Sequence, residues 1–324
     1  MASFLALLVF TFLGIIILAG IAGGVISRDE VKIEPGSVLY LDLSRNFSEE
    51  KMENPFSGIT GDVSNQTPSL YELKEIIRHA EKDSLIKGIY IKSGININGY
   101  AASEEIRNAL LHFKKSGKFI IAYGDYITQK AFYVSSAADK IYCNPKGVFE
   151  WAGMNVEYVF FKDLLNRLEI QPQIFYDGKF KSATEPFREV KMTEASKLQT
   201  EVWLGDIYDQ LVKDVSTTRK ISRDSLKAYA NAFRIKNPND AVSLHLIDGA
   251  WYDDEVRDDI KRRLNISNQE KIEFVTPGTY MHANSLNEYG GSDKIALLVA
   301  EGDIVDGKGD RGQIGSETFR SLIR

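Results

Sequence analysis

The sequence has 324 residues, of which 44% are hydrophobic and 26% are charged, a composition typical of a globular protein rather than a disordered one. The net charge of −5 comes from interspersed acids and bases. This excludes the basic stripe of a nucleic-acid-binding protein, and we expect no nucleic-acid partner.

The four histidines are scattered, and none has a second histidine or a cysteine at metal-ligand spacing. We therefore expect no zinc site, no histidine-based catalytic triad and no cofactor. The single cysteine, Cys143, excludes an intramolecular disulfide. It ends an apolar strand pattern, which predicts a packed thiol.

The N-terminus carries an uncharged apolar stretch over residues 4–26. At about 1.5 Å per helical residue, this stretch spans a hydrocarbon core of roughly 30 Å, which predicts a transmembrane anchor. A cleaved signal peptide is the alternative, but its apolar region is normally shorter and follows basic residues, which "MAS" lacks. Arg28 and Lys32 follow the stretch, and the positive-inside rule alone would place the bulk of the chain in the cytoplasm.

The next elements alternate between strand and helix. Residues 38–44 form an apolar strand pattern, and residues 69–83 have apolar positions at helical spacing. The alternation then continues with a strand at 86–94, a helix at 101–117, a strand at 118–124, and a helix and strand within 128–145. This order predicts an α/β fold with right-handed crossovers and a mostly parallel sheet. Further helical patterns cover 157–167 and 193–215.

The C-terminal segment repeats the beginning of this pattern. Residues 293–307 again place an apolar strand before a polar loop, and "TFRSLIR" at 318–324 matches "ELKEIIR" at 72–78 in apolar phase. We expect an anchor at 4–26, a first α/β repeat at 34–292 and the beginning of an incomplete second repeat at 293–324.

A loop between the two later helical patterns contains "YDGKFKSATEPF", residues 176–187. A lysine with its ordinary pKa of about 10.4 is almost fully protonated at pH 7, so it acts as a base only when desolvated or close to positive charge. Phe180, Pro186 and Phe187 could exclude water from Lys181, and a desolvated lysine can activate a serine. On residue types alone, a solvated surface lysine remains the favoured interpretation.

The stretch "GKFKSATEPFREVKMTEASK", with "YVSSAADKIYCNP" upstream, resembles the long, two-repeat form of the signal peptide peptidase A family. These are membrane-anchored Ser/Lys proteases with a ClpP/crotonase-like fold. The resemblance implies that Lys181 is the general base and that Lys179 occupies a variable position. It also implies that the catalytic bulk lies on the periplasmic side of the bacterial inner membrane, where ring-like homo-oligomers, tetrameric at full length, digest hydrophobic signal peptides.

The sequence departs from this family at the nucleophile. In this family the nucleophilic serine follows a Gly-Gly turn in the second repeat, after the strand that would come next beyond Arg324, so we expect it to be absent here. The equivalent place in the first repeat has Asn96, Asn98 and Gly99, with Ser93 before the turn and Ser103 early in the helix. We therefore expect this chain to supply the general-base lysine but not the serine, and to be inactive alone.

Two other functions fit parts of the pattern. A catalytically inactive membrane-anchored scaffold of the same fold is the main alternative. An acyl-CoA enzyme of the crotonase type would share the sheet, but the anchor and the lysine motif argue against it. Without sheet partners for "KIALLVA" (294–300), we also expect the isolated chain to aggregate or to leave residues beyond about 293 mobile.

Overall fold

The protein is described by a computed structural model over residues 10–16, 32–49, 66–286, 296–310 and 312–324. Within the predicted anchor, residues 10–16 are helical, and the rest of 4–26 lies outside the described residues.

None of the helices in these ranges has both the length and the apolarity needed to cross a membrane.

The centre of the fold is one sheet of six strands, and every neighbouring pair in it is parallel. The predicted α/β fold with a parallel sheet is therefore confirmed. The spatial order of the strands is β5-β4-β3-β2-β1-β6. In chain order they are β1 (Ser37–Asp42), β2 (Ile86–Lys92), β3 (Phe119–Ile127), β4 (Lys140–Phe149), β5 (Gly249–Ala250) and β6 (Phe274–Val275).

Helices connect and cover the strands. Those up to β5 are α1 (Leu70–Lys82), α2 (Tyr100–Phe113), α3 (Gln129–Ser135), α4 (Lys162–Arg167), α5 (Glu185–Arg188), α6 (Glu194–Arg219), α7 (Arg223–Asn231) and α8 (Pro238–Ser243). After β5 come α9 (Asp253–Leu264) and α10 (Pro277–Ala283), and short 3₁₀ turns cover Lys114–Ser116 and Ser182–Thr184.

Local sequence accounts for where α1 begins. Ser69 accepts a hydrogen bond from the backbone of Glu72, whose side chain accepts one from the backbone of Ser69, forming a capping box. The buried residues of α1 fall at helical spacing and pack into the core: Leu70, Leu73, Ile76, Ile77 and Ala80.

Successive residues of each strand point to opposite faces of the sheet. On one face, Leu39, Ile89 and Ile120 belong to the large core shared with α1, α2, α3 and part of α6. On the other face, Tyr90 and Tyr142 belong to a smaller cluster completed by residues of α9. The sheet is thus covered on both sides, but unequally.

The structure differs from the predicted elements in two places. The helix expected at 157–167 begins only at Lys162. None of residues 157–161 is buried, so core packing does not stabilise a helix there. In the C-terminal segment, residues 296–300 are not a strand. That segment instead has a separate parallel pair, β7 (Asp303–Val305) and β8 (Gln313–Gly315), followed by helix α11 (Ser316–Ile323). Residues 296–300 have no strand partner among the described residues, so no ladder holds them extended.

Candidate functional site

The segment that contains the lysine motif projects from the core between β4 and α6. We call residues 152–195 the arm. Trp151, just before it, is buried and donates a hydrogen bond from its indole nitrogen to the carbonyl of Leu226 at 2.8 Å. Gln129 of α3 accepts hydrogen bonds from the backbone nitrogens of Ala152 and Gly153, each at 3.0 Å. The root of the arm is therefore tied to the core.

The arm itself has almost no buried side chain. Between residues 152 and 195 only Glu185 is buried, whereas Phe175 is 93% exposed and Val159 is 61% exposed. The arm holds its shape through local contacts. One of these joins the backbone nitrogen of Phe161 to the carbonyl of Pro186 at 2.6 Å, and the rings of Phe161 and Phe187 stack at 5.9 Å.

Lys181 lies immediately before the 3₁₀ turn Ser182–Thr184 and is exposed. Its side chain makes no hydrogen bond or ion pair with any group in the described ranges. It borders an open pocket of about 490 Å³, whose other lining residues are Phe175, Tyr176, Asp177, Phe180, Ser182, Ala183 and Thr184. The amine of Lys181 is therefore accessible to a molecule that binds in this pocket.

Gly178 of the motif accommodates the lysine side chain. Its φ of +101° lies in a region that residues with a side chain rarely adopt, and an added Cβ would meet Cγ of Lys181 at 3.4 Å. The glycine therefore allows both the turn of the chain and the close passage of the lysine stem.

The aromatic residues expected to shield Lys181 are only half covered. Phe180 is 49% exposed and Phe187 is 45% exposed. Within the described part of the chain, these rings leave Lys181 open to solvent. Any further desolvation of Lys181 has to come from another chain, another segment or the substrate.

Glu185 connects the motif to the beginning of α6. Its carboxylate accepts hydrogen bonds from the hydroxyl of Thr193 at 2.5 Å and from the backbone nitrogen of Thr193 at 3.2 Å. A guanidinium nitrogen of Arg188 lies 3.5 Å from the same carboxylate. Arg188 also lies over the ring of Tyr176, 4.0 Å from its centroid. These polar contacts hold the turn that follows Lys181.

The two serines considered as nucleophiles lie at the carboxyl edge of the sheet, and both are fully buried. The hydroxyl oxygen of Ser93 lies 2.6 Å from that of Ser135. The hydroxyl of Ser103 donates to the carbonyl of Gly99 at 2.8 Å and accepts from Asn96 at 3.0 Å. Neither hydroxyl is accessible to a peptide in this arrangement.

Asn98 occupies the centre of the turn at this edge. It is 1% exposed, its amide oxygen accepts from the backbone nitrogen of Phe47 at 2.8 Å, and its amide nitrogen donates to the carbonyl of Arg45 at 3.0 Å. This asparagine joins the loop after β1 to the loop after β2.

Other reactive groups are not arranged as sites. Among the described residues, no three side chains of His, Cys, Asp or Glu are close enough together to hold a metal ion. Cys143 is fully buried, as predicted for a packed thiol, and this burial raises the pKa of its thiol to about 12. A thiol with that pKa is almost entirely protonated at neutral pH.

Sequence reasoning identified Lys181 but missed Glu185, Thr193 and Gln129. A signal for Thr193 exists, because a threonine directly before a helical pattern is a favoured N-cap. The burial of Glu185 has no such signal, since a glutamate before a proline in a polar loop is ordinarily a surface residue.

Comparison with known proteins matches residues 112–267 to peptidase family S49, a range that includes the arm and Lys181. Protease 4 of Haemophilus influenzae is 29% identical over 290 residues, covering 85% of this chain and 46% of the relative. The chloroplastic serine protease SPPA of Arabidopsis thaliana is 29% identical over 289 residues, covering 88% of this chain and 41% of the relative.

Protease 4 of Salmonella typhi is 28% identical over 274 residues, covering 80% of this chain and 43% of the relative. The chain therefore spans less than half the length of each of these three relatives. The family match agrees with the parallel-sheet fold. Residues 112–267 thus match peptidase family S49, and the chain is similar to the Protease 4 and SPPA proteins over most of its length.

Proposed function

We propose that this chain supplies the general-base lysine of a membrane-anchored Ser/Lys endopeptidase that degrades hydrophobic signal peptides. The observation that carries the proposal is Lys181 itself. It lies in the motif "GKFKSATEPF", borders an open pocket and is unpaired within the described part of the chain. The match of residues 112–267 to family S49 and the similarity to a protein named a serine protease support the same chemistry.

The proposed reaction is acyl transfer. The neutral amine of Lys181 takes the proton from a serine hydroxyl as its oxygen attacks the peptide carbonyl, and the lysine ammonium then gives that proton to the leaving nitrogen. A water molecule, deprotonated by the same amine, hydrolyses the acyl-enzyme. The amine must be neutral for the first step, so the site must be closed from water when substrate is bound.

The serine comes from outside the residues considered as nucleophiles. The burial of Ser93 and Ser103 and their engaged hydroxyls support this part of the proposal. We propose that a second, related repeat provides the serine and that ring-like assembly brings the two groups together. The exposed apolar side chains of the arm, such as Phe175 at 93% and Val159 at 61%, are suited to such contacts.

The same proposal covers the placement of the protein. We propose that residues 4–26 anchor it in the bacterial inner membrane with the catalytic bulk on the periplasmic side. The uncharged character of residues 4–26 supports an anchor.

We also propose that the chain is divided into a first repeat at 34–292 and the beginning of a second repeat at 293–324. An inactive scaffold is a second candidate, favoured by the solvent exposure of Lys181 in this chain.

Substitution of the two motif lysines tests the proposal. In a polypeptide that contains both the lysine and the serine, Lys181→Ala should lower peptide hydrolysis by about 10²- to 10⁴-fold or more. Lys179→Ala, which removes an exposed lysine two positions away, should leave most of the activity. Circular dichroism should show both variants folded. A Lys181→Ala enzyme that cleaves a hydrophobic signal peptide at near wild-type rate would contradict the proposal and favour the scaffold.

A further inference from the structure

Glu185 is an unusual residue in its surroundings. It is 3% exposed in an arm where no other side chain between residues 152 and 195 is buried. A carboxylate is costly to bury unless it is hydrogen-bonded or paired. The arm has no apolar core that would bury Glu185 by chance, so its partners determine its position.

Those partners lie on one side, toward α6. The hydroxyl of Thr193 donates to Glu185 at 2.5 Å and accepts from the backbone nitrogen of Ser196 at 3.3 Å. Thr193 is the N-cap of α6, so one hydroxyl serves both the helix and the carboxylate. These hydrogen bonds connect the turn that follows Lys181 to the first turn of α6, a helix of 26 residues.

The far end of α6 is held by the core. Leu211, Val212 and Val215 are buried there. The carboxylate of Asp214 accepts a hydrogen bond from the hydroxyl of Tyr133 at 2.7 Å, and the backbone carbonyl of Asp214 accepts one from Arg107 at 2.9 Å. A continuous set of contacts therefore runs from the sheet through α6 and Thr193 to Glu185.

Glu185 lies four residues after Lys181. Lys181 directly precedes the turn Ser182–Thr184, which continues without a break into α5, whose first residue is Glu185. Once Glu185 is fixed on Thr193, the backbone of this turn is fixed, and with it the direction in which Lys181 leaves the chain. We propose that Glu185 is a positioning residue for Lys181, an inference that rests on the proposed function of that lysine.

The neighbouring Glu189 provides a matched control. It forms an ion pair with the same arginine, Arg188, at 2.9 Å, but its side chain is 36% exposed, against 4% for Glu185. In the described ranges, the side chain of Glu189 bonds to Arg188 rather than to Thr193. Removing its charge should therefore leave the turn in place.

The kinetic test uses the polypeptide that contains both the lysine and the serine. Misplacement of a catalytic group by about 1 Å can cost on the order of 10²-fold in rate. We expect Glu185→Ala to lower kcat by about 100-fold and Glu185→Gln, which keeps one acceptor oxygen, by about 10-fold, with KM within about 2-fold of wild type. Glu189→Gln should change kcat by less than about 2-fold.

Assays at low temperature distinguish a positioning role of Glu185 from a role in stability alone. Each variant is assayed well below its own Tm, where it is fully folded. A kcat loss that persists there supports positioning, whereas one that disappears on cooling overturns it. Thr193→Val removes the other end of the contact, so its effect on kcat should not add to that of Glu185→Ala. Additive losses would overturn the inference.

Hydrogen exchange tests the contact in the 324-residue chain without any need for activity. Glu185→Ala should speed exchange of the amides of Thr193 and Ser196 by at least about 10-fold, while Glu189→Ala leaves them unchanged. Equal exchange in both variants would overturn the inference. If Lys181→Ala is fully active, the proposed function is refuted, and so is this inference, because it depends on that function. If Lys181→Ala is inactive while the Glu185 variants are normal, only this inference fails.

Discussion

Asn98→Ala should destabilise the fold strongly, because this asparagine joins two loops at the carboxyl edge of the sheet. Its amide oxygen accepts from the backbone of Phe47 at 2.8 Å, and its amide nitrogen donates to Arg45 at 3.0 Å and to the side chain of Asn96 at 2.9 Å. The residue is 1% exposed, so water cannot replace these partners without opening the loops.

The size of the effect follows from those contacts. A buried hydrogen bond contributes about 0.5–1.5 kcal/mol net, and a buried donor left unsatisfied costs about 1–3 kcal/mol. Losing three bonds and leaving the amide of Phe47 without its acceptor should lower the free energy of unfolding by about 3–5 kcal/mol. That is a large fraction of the stability of an ordinary domain.

Urea denaturation followed by tryptophan fluorescence measures this change, since Trp151 is buried in the core. Asn108→Ala, which alters an exposed asparagine on α2, is the control and should change the stability by less than about 0.5 kcal/mol. If Asn98→Ala costs less than about 1 kcal/mol, other contacts hold the two loops together and Asn98 is not the residue that joins them.

Two further predictions concern titratable groups. Burial raises the pKa of Cys143 to about 12, so a thiol reagent at pH 8 should label less than a tenth of the native protein and one equivalent after denaturation; rapid native labelling would contradict this. For Asp42, burial acts to raise the pKa, but hydrogen bonds from Ser44 and Lys92 outweigh it and leave the pKa lowered. The stability that Asp42 contributes should be fully present above about pH 4 and be lost as the pH falls through its lowered folded pKa. Asp42→Asn should therefore destabilise at pH 7, and its effect should shrink as the pH falls below about 4. An effect that does not change with pH would contradict this.

The long strands were predictable from sequence because each is a run of apolar residues between polar loops. β1 to β4 lie where the patterns place them, within a few residues. β5 and β6 have two residues each, too few to show any period, and they exist because the edges of β4 and β1 are available to pair. Only the assembled sheet defines them.

The candidate site was predictable only in part. Lys181 could be proposed as the base because the motif around it is specific, whereas the hydrogen bonds of Glu185 depend on how the chain folds back to Thr193. The predicted helix at 157–167 is shorter in the structure because apolar residues at its beginning, such as Val159, are not buried against the core. Periodicity reports what a segment could bury but not whether a partner surface lies beside it.

The position of β6 has a consequence for folding during synthesis. β1 pairs with β2 on one side and with β6 on the other, through Val38 with Phe274 and Leu39 with Val275. The ribosome makes β1 early but completes β6 only near the end of this unit. At roughly 5–20 residues per second, the outer edge of β1 stays unpaired for on the order of ten seconds or more. An open apolar edge is a template for pairing with other chains, so the nascent protein has the greatest need of a chaperone during that interval.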